Sequence, residues 1–145
     1  MAATGLLAPF ILAPAPAHAL TAQETYSHAA VSATQQVRTA RALGSLRYSR
    51  CLAQLAWAQA HRMARRHEMF HQDMGTVLRT CHLSWAAENV AYGFPTGTSV
   101  VYDGWMKSPP HRANLLSRHY TMMAIGAVRS GDGRWYVSQV FGRAA

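Results

Sequence analysis

The sequence predicts an α+β domain, with an antiparallel sheet covered by helices. Three observations carry this. Apolar residues recur at helical spacing through the first half of the chain. β-Branched and aromatic residues dominate its last stretch. The tetrapeptide "SGDG" separates the two final β-rich runs as a hairpin turn. At 145 residues the chain has room for one domain and not for two ordinary ones. Hydrophobic residues make up 50% of it, so a core can form without staples.

In chain order, Thr21 to Leu43 reads as a first helix. Tyr26, Ala29, Ala30, Ala33, Val37 and Ala40 make its apolar face, and Gly44 with Ser45 ends it. A second helix starts at Ser49 or Arg50, with Ser49 as cap. Leu52, Ala56, Ala60, Met63 and His67 step by three or four along one stripe, and Gly75 is the break. "TVLRTCHLSW" reads equally as a short helix or a loop. "WAAENVAYGF" is extended and closes in the turn "GFPTGT". "TSVVYDGWMKS" is a short amphipathic helix capped by Thr98 or Ser99, with Val100, Val101 and Trp105 as apolar positions. "SPPHRANLLS" begins another, with Ser108 as N-cap and Pro109 at the first helical position, where its missing N–H costs nothing. "YTMMAIGAVRS" and "RWYVSQVF" are strands, and no internal repeat is visible.

The first stretch differs in kind. "MAATGLLAPFILAPAPAHAL" has no charged residue apart from His18, a short apolar run from Gly5 to Ala13, and Ala17-His18-Ala19 as a small-x-small cleavage site. Residues 1–19 read as a signal peptide that lacks the usual basic start, and 20–145 as one domain outside the cytoplasm, secreted or in the cell envelope. The apolar run is too short to span a bilayer, and no later window is apolar enough. Cys51 and Cys81 are too far apart for a CxxC motif and too few for a zinc site. In an exported chain they read as one disulfide, closing a loop of about 30 residues and worth about 3 kcal/mol. The alternative is two buried thiols.

Charge is scarce and lopsided, with 14 Lys+Arg against 6 Asp+Glu, and Lys107 is the sole lysine. That balance favours acidic partners: an anionic lipid or an acidic envelope polymer. Scattered arginines and aromatics form neither an RNA-binding nor a helix-turn-helix signature, and export argues against a nucleic-acid partner.

The candidate chemistry lies in histidines and one glutamate. His111 follows two prolines and falls in the first turn of its helix, where the macrodipole disfavours imidazolium. A fixed neutral imidazole can be a metal ligand or a base; a packing histidine bonded to backbone is the plainer alternative. Glu88 is a rare acid inside an apolar run and needs a partner. His71 follows the second helix and His119 precedes the penultimate strand. Two histidines and one glutamate from separate segments can form a zinc site with open positions. GxSxG, P-loop and GxGxxG motifs are absent.

Taken together, "ATQQVR", "CLAQLAWAQAHRMARRHEMFHQD", "AENVAYG", "VVYDGWMKSPPHRANLL" and "YTMMAIGAV…WYVSQVFG" resemble the CAP superfamily. This is the group of cysteine-rich secretory proteins, antigen 5 and pathogenesis-related proteins, also called SCP domains. The likeness is greatest to small secreted bacterial members and runs from about Ala30 to Gly142. It implies a three-layer α-β-α sandwich with a central antiparallel sheet. It also implies a cleft of two histidines and up to two glutamates, in which some members hold zinc or another divalent cation. Carried over by motif, the histidines are His71 and His111 and the glutamate is Glu88. These three are the candidate catalytic residues, and the two histidines the candidate metal ligands. The second glutamate has no counterpart in "WMKSPPHR", and Ala87 stands where the family has glycine. Asn89 is expected to bond backbone, and Arg112 and Asn114 to brace loops. Two functions follow as expectations: a binding module for lipid, sterol or envelope polymer, or a metal-assisted hydrolase or peptidase using the same cleft.

Overall fold

The computed structural model describes residues 19–145; the expected signal peptide, apart from Ala19, lies outside the described residues. α1 (Ala22–Thr39) leads to β1 (Arg47–Tyr48), α2 (Arg50–Arg66), α3 (Met74–Cys81) and β2 (Leu83–Tyr92). A helical segment from Gly97 to Lys107 follows. It has one α turn (α4, Gly97–Ser99), a widened π turn (Val100–Gly104) and a tight 3-10 turn (Trp105–Lys107). α5 (Pro109–Leu116), β3 (Met122–Arg129) and β4 (Trp135–Ala144) complete the chain.

The sheet has four strands in the order β1-β3-β4-β2. β3 and β4 form the expected hairpin across Ser130–Arg134, and β2 pairs antiparallel with β4 from Leu83 to Tyr92. The expected antiparallel sheet is corrected at one edge. β1 runs parallel to β3 and pairs only Arg47 with Met122 and Tyr48 with Met123. Two residues are too few to leave a period in the sequence, so pattern could not show this strand.

Alternation along the strands builds the two outer layers. Ala91, Met123, Ile125, Ala127, Val137 and Phe141 face α1 and the helical layer that carries Val100, Trp105 and Leu115. Ala124 and Val140 face Leu52 and Ala56 of α2 and Val77 of α3. Val90 and Tyr136 meet Met63 and Ala64 further along α2. The result is the expected three-layer α-β-α sandwich.

Several local expectations shift. α1 ends at Thr39 because Ala42 takes the left-handed turn (φ 52°) two residues before Gly44. The buried Arg38 then donates to three carbonyls, Gly44 O at 2.9 Å, Leu115 O at 2.8 Å and Ser117 O at 2.9 Å, tying α1 to the end of α5. Leu52, Ala56, Ala60 and Met63 are buried as their stripe predicts. His67 is not. It ends α2 in a left-handed turn and faces Asp132 at 3.5 Å, more than half exposed. Gly75 breaks no helix. The break is the seven residues from His67 to Asp73, and Asp73 caps α3. Thr96, not Thr98 or Ser99, caps the next segment, in a capping box with Ser99. Gly97 is required there, since a Cβ would lie 2.0 Å from Tyr26 O.

Cys51 and Cys81 are bonded, with Cα atoms 5.8 Å apart, joining the start of α2 to the end of α3. The free-thiol alternative is excluded. Replacing both by serine is expected to cost about 3 kcal/mol, read as a lower urea midpoint.

Candidate functional site

β2 is the last strand of the sheet, so its residues address both helical layers at an edge. Glu88 and Asn89 are neighbours that point to opposite faces. Glu88 points toward the segment between α2 and α3. Its side chain is 1% exposed, and it accepts four hydrogen bonds. Oε1 takes them from Gln72 Nε2 (2.7 Å) and Ser138 Oγ (2.7 Å), and Oε2 from His71 Nδ1 (2.8 Å) and the Gln72 backbone N–H (3.1 Å). A buried carboxylate is tolerable only with such partners.

This arrangement sets His71. With Nδ1–H on Glu88, the ring is held in one tautomer and its other nitrogen is free. The imidazole is 56% exposed, so that nitrogen faces the solvent side.

His111 comes from the opposite layer. Pro109 and Pro110 occupy the first two positions of α5 and fix where it begins. Ser108 has N-cap backbone angles, but its side chain does not cap. Its hydroxyl lies 2.8 Å from His111 Nδ1 instead. The ring is positioned by the residue expected to cap the helix. Asn89 holds the same turn, donating to His111 O at 3.2 Å and to Gln139 Oε1 at 3.1 Å. Asn114 returns a bond to Asn89 Oδ1 at 2.9 Å. Gln139 continues the network to Thr34 Oγ1 on α1 at 3.0 Å. Asn114 thus braces the strand β2 and not a loop, while Arg112 is exposed on the same helix.

The His111 pKa is depressed, first by burial and then by the charge of nearby His71. Glu88 thus holds His71 directly, and His111 lies near enough to His71 to feel its charge. His119 is apart from them, stacked on Trp85 with ring centroids 4.3 Å apart. Sequence reasoning missed Gln72 and Ser138. Gln72 adjoins His71 and was open to notice. Ser138 reaches Glu88 only through strand register, which leaves no local mark.

The donor set does not fit a resident zinc. Every acceptor position of Glu88 is taken, which leaves two imidazole nitrogens where a catalytic zinc needs three protein ligands. Among the described residues, no group of three or more His, Cys, Asp or Glu is placed to hold a metal.

Residues 31–141 match the family model CAP, the cysteine-rich secretory protein family. The chain belongs to the CAP family. Among sequence relatives, YkwD of Bacillus subtilis strain 168 is 30% identical over 114 residues, covering 74% of this chain and 44% of that protein. The chain spans less than half the length of the sequence relatives it matches. An extracellular SCP-domain protein of Bacillus anthracis shares the fold with a TM-score of 0.73 at 23% identity, over 88% of this chain and 45% of that one. An outer surface protein of Borrelia burgdorferi has a TM-score of 0.72 at 16% identity, over 79% of this chain and 90% of that one. Among the described residues of this CAP chain, no helix is long and apolar enough to cross a membrane.

The paired histidines have a measurable signature. The His111 ring is expected to titrate below a free imidazole in NMR, and to move up in His71→Gln, which removes the neighbouring charge. The fold prefers neutral His111, so the linked stability is full above the ordinary imidazole pKa and is lost as pH falls toward the depressed one. Calorimetric titration with zinc at neutral pH is expected to show no tight one-to-one binding. Stoichiometric uptake that disappears in His71→Ala/His111→Ala would overturn that.

Proposed function

We propose that this CAP domain is an extracytoplasmic binding module that holds an acidic envelope ligand, polymer or lipid headgroup, at the His71–His111 cleft without transforming it. One observation carries the reading: all four acceptor positions of Glu88 are used inside the protein. The carboxylate beside His71 is a structural anchor, not a free base or acid. What faces outward is imidazole, on a chain of net charge +8. An anion at the mouth is drawn by that charge and by the half-exposed imidazole of His71. The extracellular and outer-surface placement of the two structural neighbours supports a site outside the cytoplasm.

The second reading is metal-assisted hydrolysis, expected from the family's cleft. It requires a metal ligand or base that Glu88 cannot supply while so bonded.

The test is binding of the purified chain to peptidoglycan sacculi and to phosphatidylglycerol vesicles, with phosphatidylcholine as control. Saturable binding is expected, weakened by salt and by His71→Ala/His111→Ala, with no product formed. No binding to either probe would end this reading. Turnover of peptide or ester substrates that vanishes in His111→Ala would establish the hydrolase instead.

A further inference from the structure

The outer face of α2 carries a second feature, independent of the cleft. α2 buries Leu52, Ala56, Gln59, Ala60 and Met63 along one side. At helical spacing, that leaves Arg50, Trp57, His61 and Arg65 in line on the outside. The stacking of Trp57 on His61, with centroids 5.1 Å apart, shows the alignment. Tyr48, just before the helix, shares a shallow hollow with Arg50 and Trp57. Tyr48 and Trp57 are 74% and 54% exposed, and Arg50, Arg62, Arg65 and Arg66 are exposed as well. From Arg50 to Arg65 the stripe is about 22 Å long, at about 1.5 Å per residue.

The charge on this face is of one sign. The 17 residues of α2 contain four arginines and neither Asp nor Glu. Among the described residues, none of the four is in an ion pair. Arg62 donates to Gln59 Oε1 and Arg66 lies over the Phe70 ring at 5.0 Å, neither of which neutralises a cation. Helix stability accounts for only part of the set. Arg65 and Arg66 suit the negative end of the helix dipole, but Arg50 is the first helical residue, at the positive end, where a cation is disfavoured. The acids of the neighbourhood are at its margins: Glu24 lines the adjoining groove and Glu68 follows the helix end.

We propose that this face docks the domain on an anionic bilayer surface, with α2 lying along the headgroups. Arg50, Arg62 and Arg65 meet lipid phosphates, to which the guanidinium fork is suited. Tyr48 and Trp57 stand between the two groups of arginines and enter at headgroup level. The rings are what select a bilayer over a soluble acidic polymer. An amphipathic ring gains by leaving water for the boundary between headgroups and acyl chains, and a hydrated polymer has no such boundary. Charge complementarity selects anionic lipid over neutral lipid. Docking by α2 goes beyond the cleft reading, since it holds the domain at a surface whatever the cleft takes.

The experiment is co-sedimentation of the full-length chain with phosphatidylcholine vesicles, with and without phosphatidylglycerol. Binding is expected only with the anionic lipid, and is expected to fall with salt. Arg50→Gln/Arg65→Gln should weaken it about twentyfold, at about fivefold for each arginine near a charged surface. Both side chains are exposed, so the fold is kept. Arg118→Gln/Arg143→Gln removes the same charge from exposed positions off α2 and should change binding little. Vesicles with brominated acyl chains should quench Trp57 emission, and that quenching should be lost in Trp57→Phe. Absence of vesicle binding overturns the proposal, as do equal losses in the two arginine variants or no quenching assignable to Trp57. So would soluble polyglutamate binding as tightly as the vesicles. Vesicle binding that falls in His71→Ala/His111→Ala but not in Arg50→Gln/Arg65→Gln would belong to the cleft, and the α2 face would be discarded. Binding to sacculi judges the cleft by itself, so the two readings fail separately.

Discussion

The buried carboxylate of Glu88 is the constraint around which one end of the molecule is arranged. A charge with 1% of its side chain exposed survives only if every acceptor position is matched. The donors come from separate places: β2 lies against Ser138 of β4, while His71 and Gln72 arrive from the segment after α2. That segment has no regular structure of its own, so Glu88 serves as the post to which it is tied. The position of His71 is a consequence. The disulfide between Cys51 and Cys81 acts on the same side, closing α2 and α3 around the tethered segment.

Asn89 does for the other layer what Glu88 does for this one. Its amide joins the turn at His111 to Gln139, and through Gln139 to Thr34 on α1. Asn89, Gln139 and Thr34 are all fully buried and all bonded. Two consecutive residues of one strand therefore lock the sheet to both layers, Glu88 holding His71 and Asn89 holding the turn at His111. The prolines before His111 complete this by fixing the first turn of α5, while Ser108 turns from capping to holding the ring.

The two edges of the sheet differ in chemistry for a simple reason. At β2 the polar side chains on the two faces of the strand satisfy their partners in both layers. At β3 the edge is paired by a strand of only two residues, and apolar helices rise on either side. The first edge is a polar cleft with its carboxylate consumed; the second borders an apolar groove beside the buried Ile125 and Ala127.

How much of this was legible depends on range. Helices α1 and α2, the hairpin of β3 and β4 and the burial of Leu52, Ala56, Ala60 and Met63 follow from periodicity and turn residues, which act over a few positions. The start of α5 follows from its prolines in the same way. His67 misled because its spacing fits the stripe although α2 ends there in a left-handed turn. Residue order was enough for most elements other than β1 and α3, for the α+β class, and for the rarity of Glu88 and its need for partners. The identity of those partners was settled by folding, since Ser138 lies 50 positions away and reaches Glu88 through strand register. Folding also settled that Ser108 serves a ring and not a helix end, and that β1 stops short. These outcomes are contests among non-local contacts, and local pattern carries no record of who wins them.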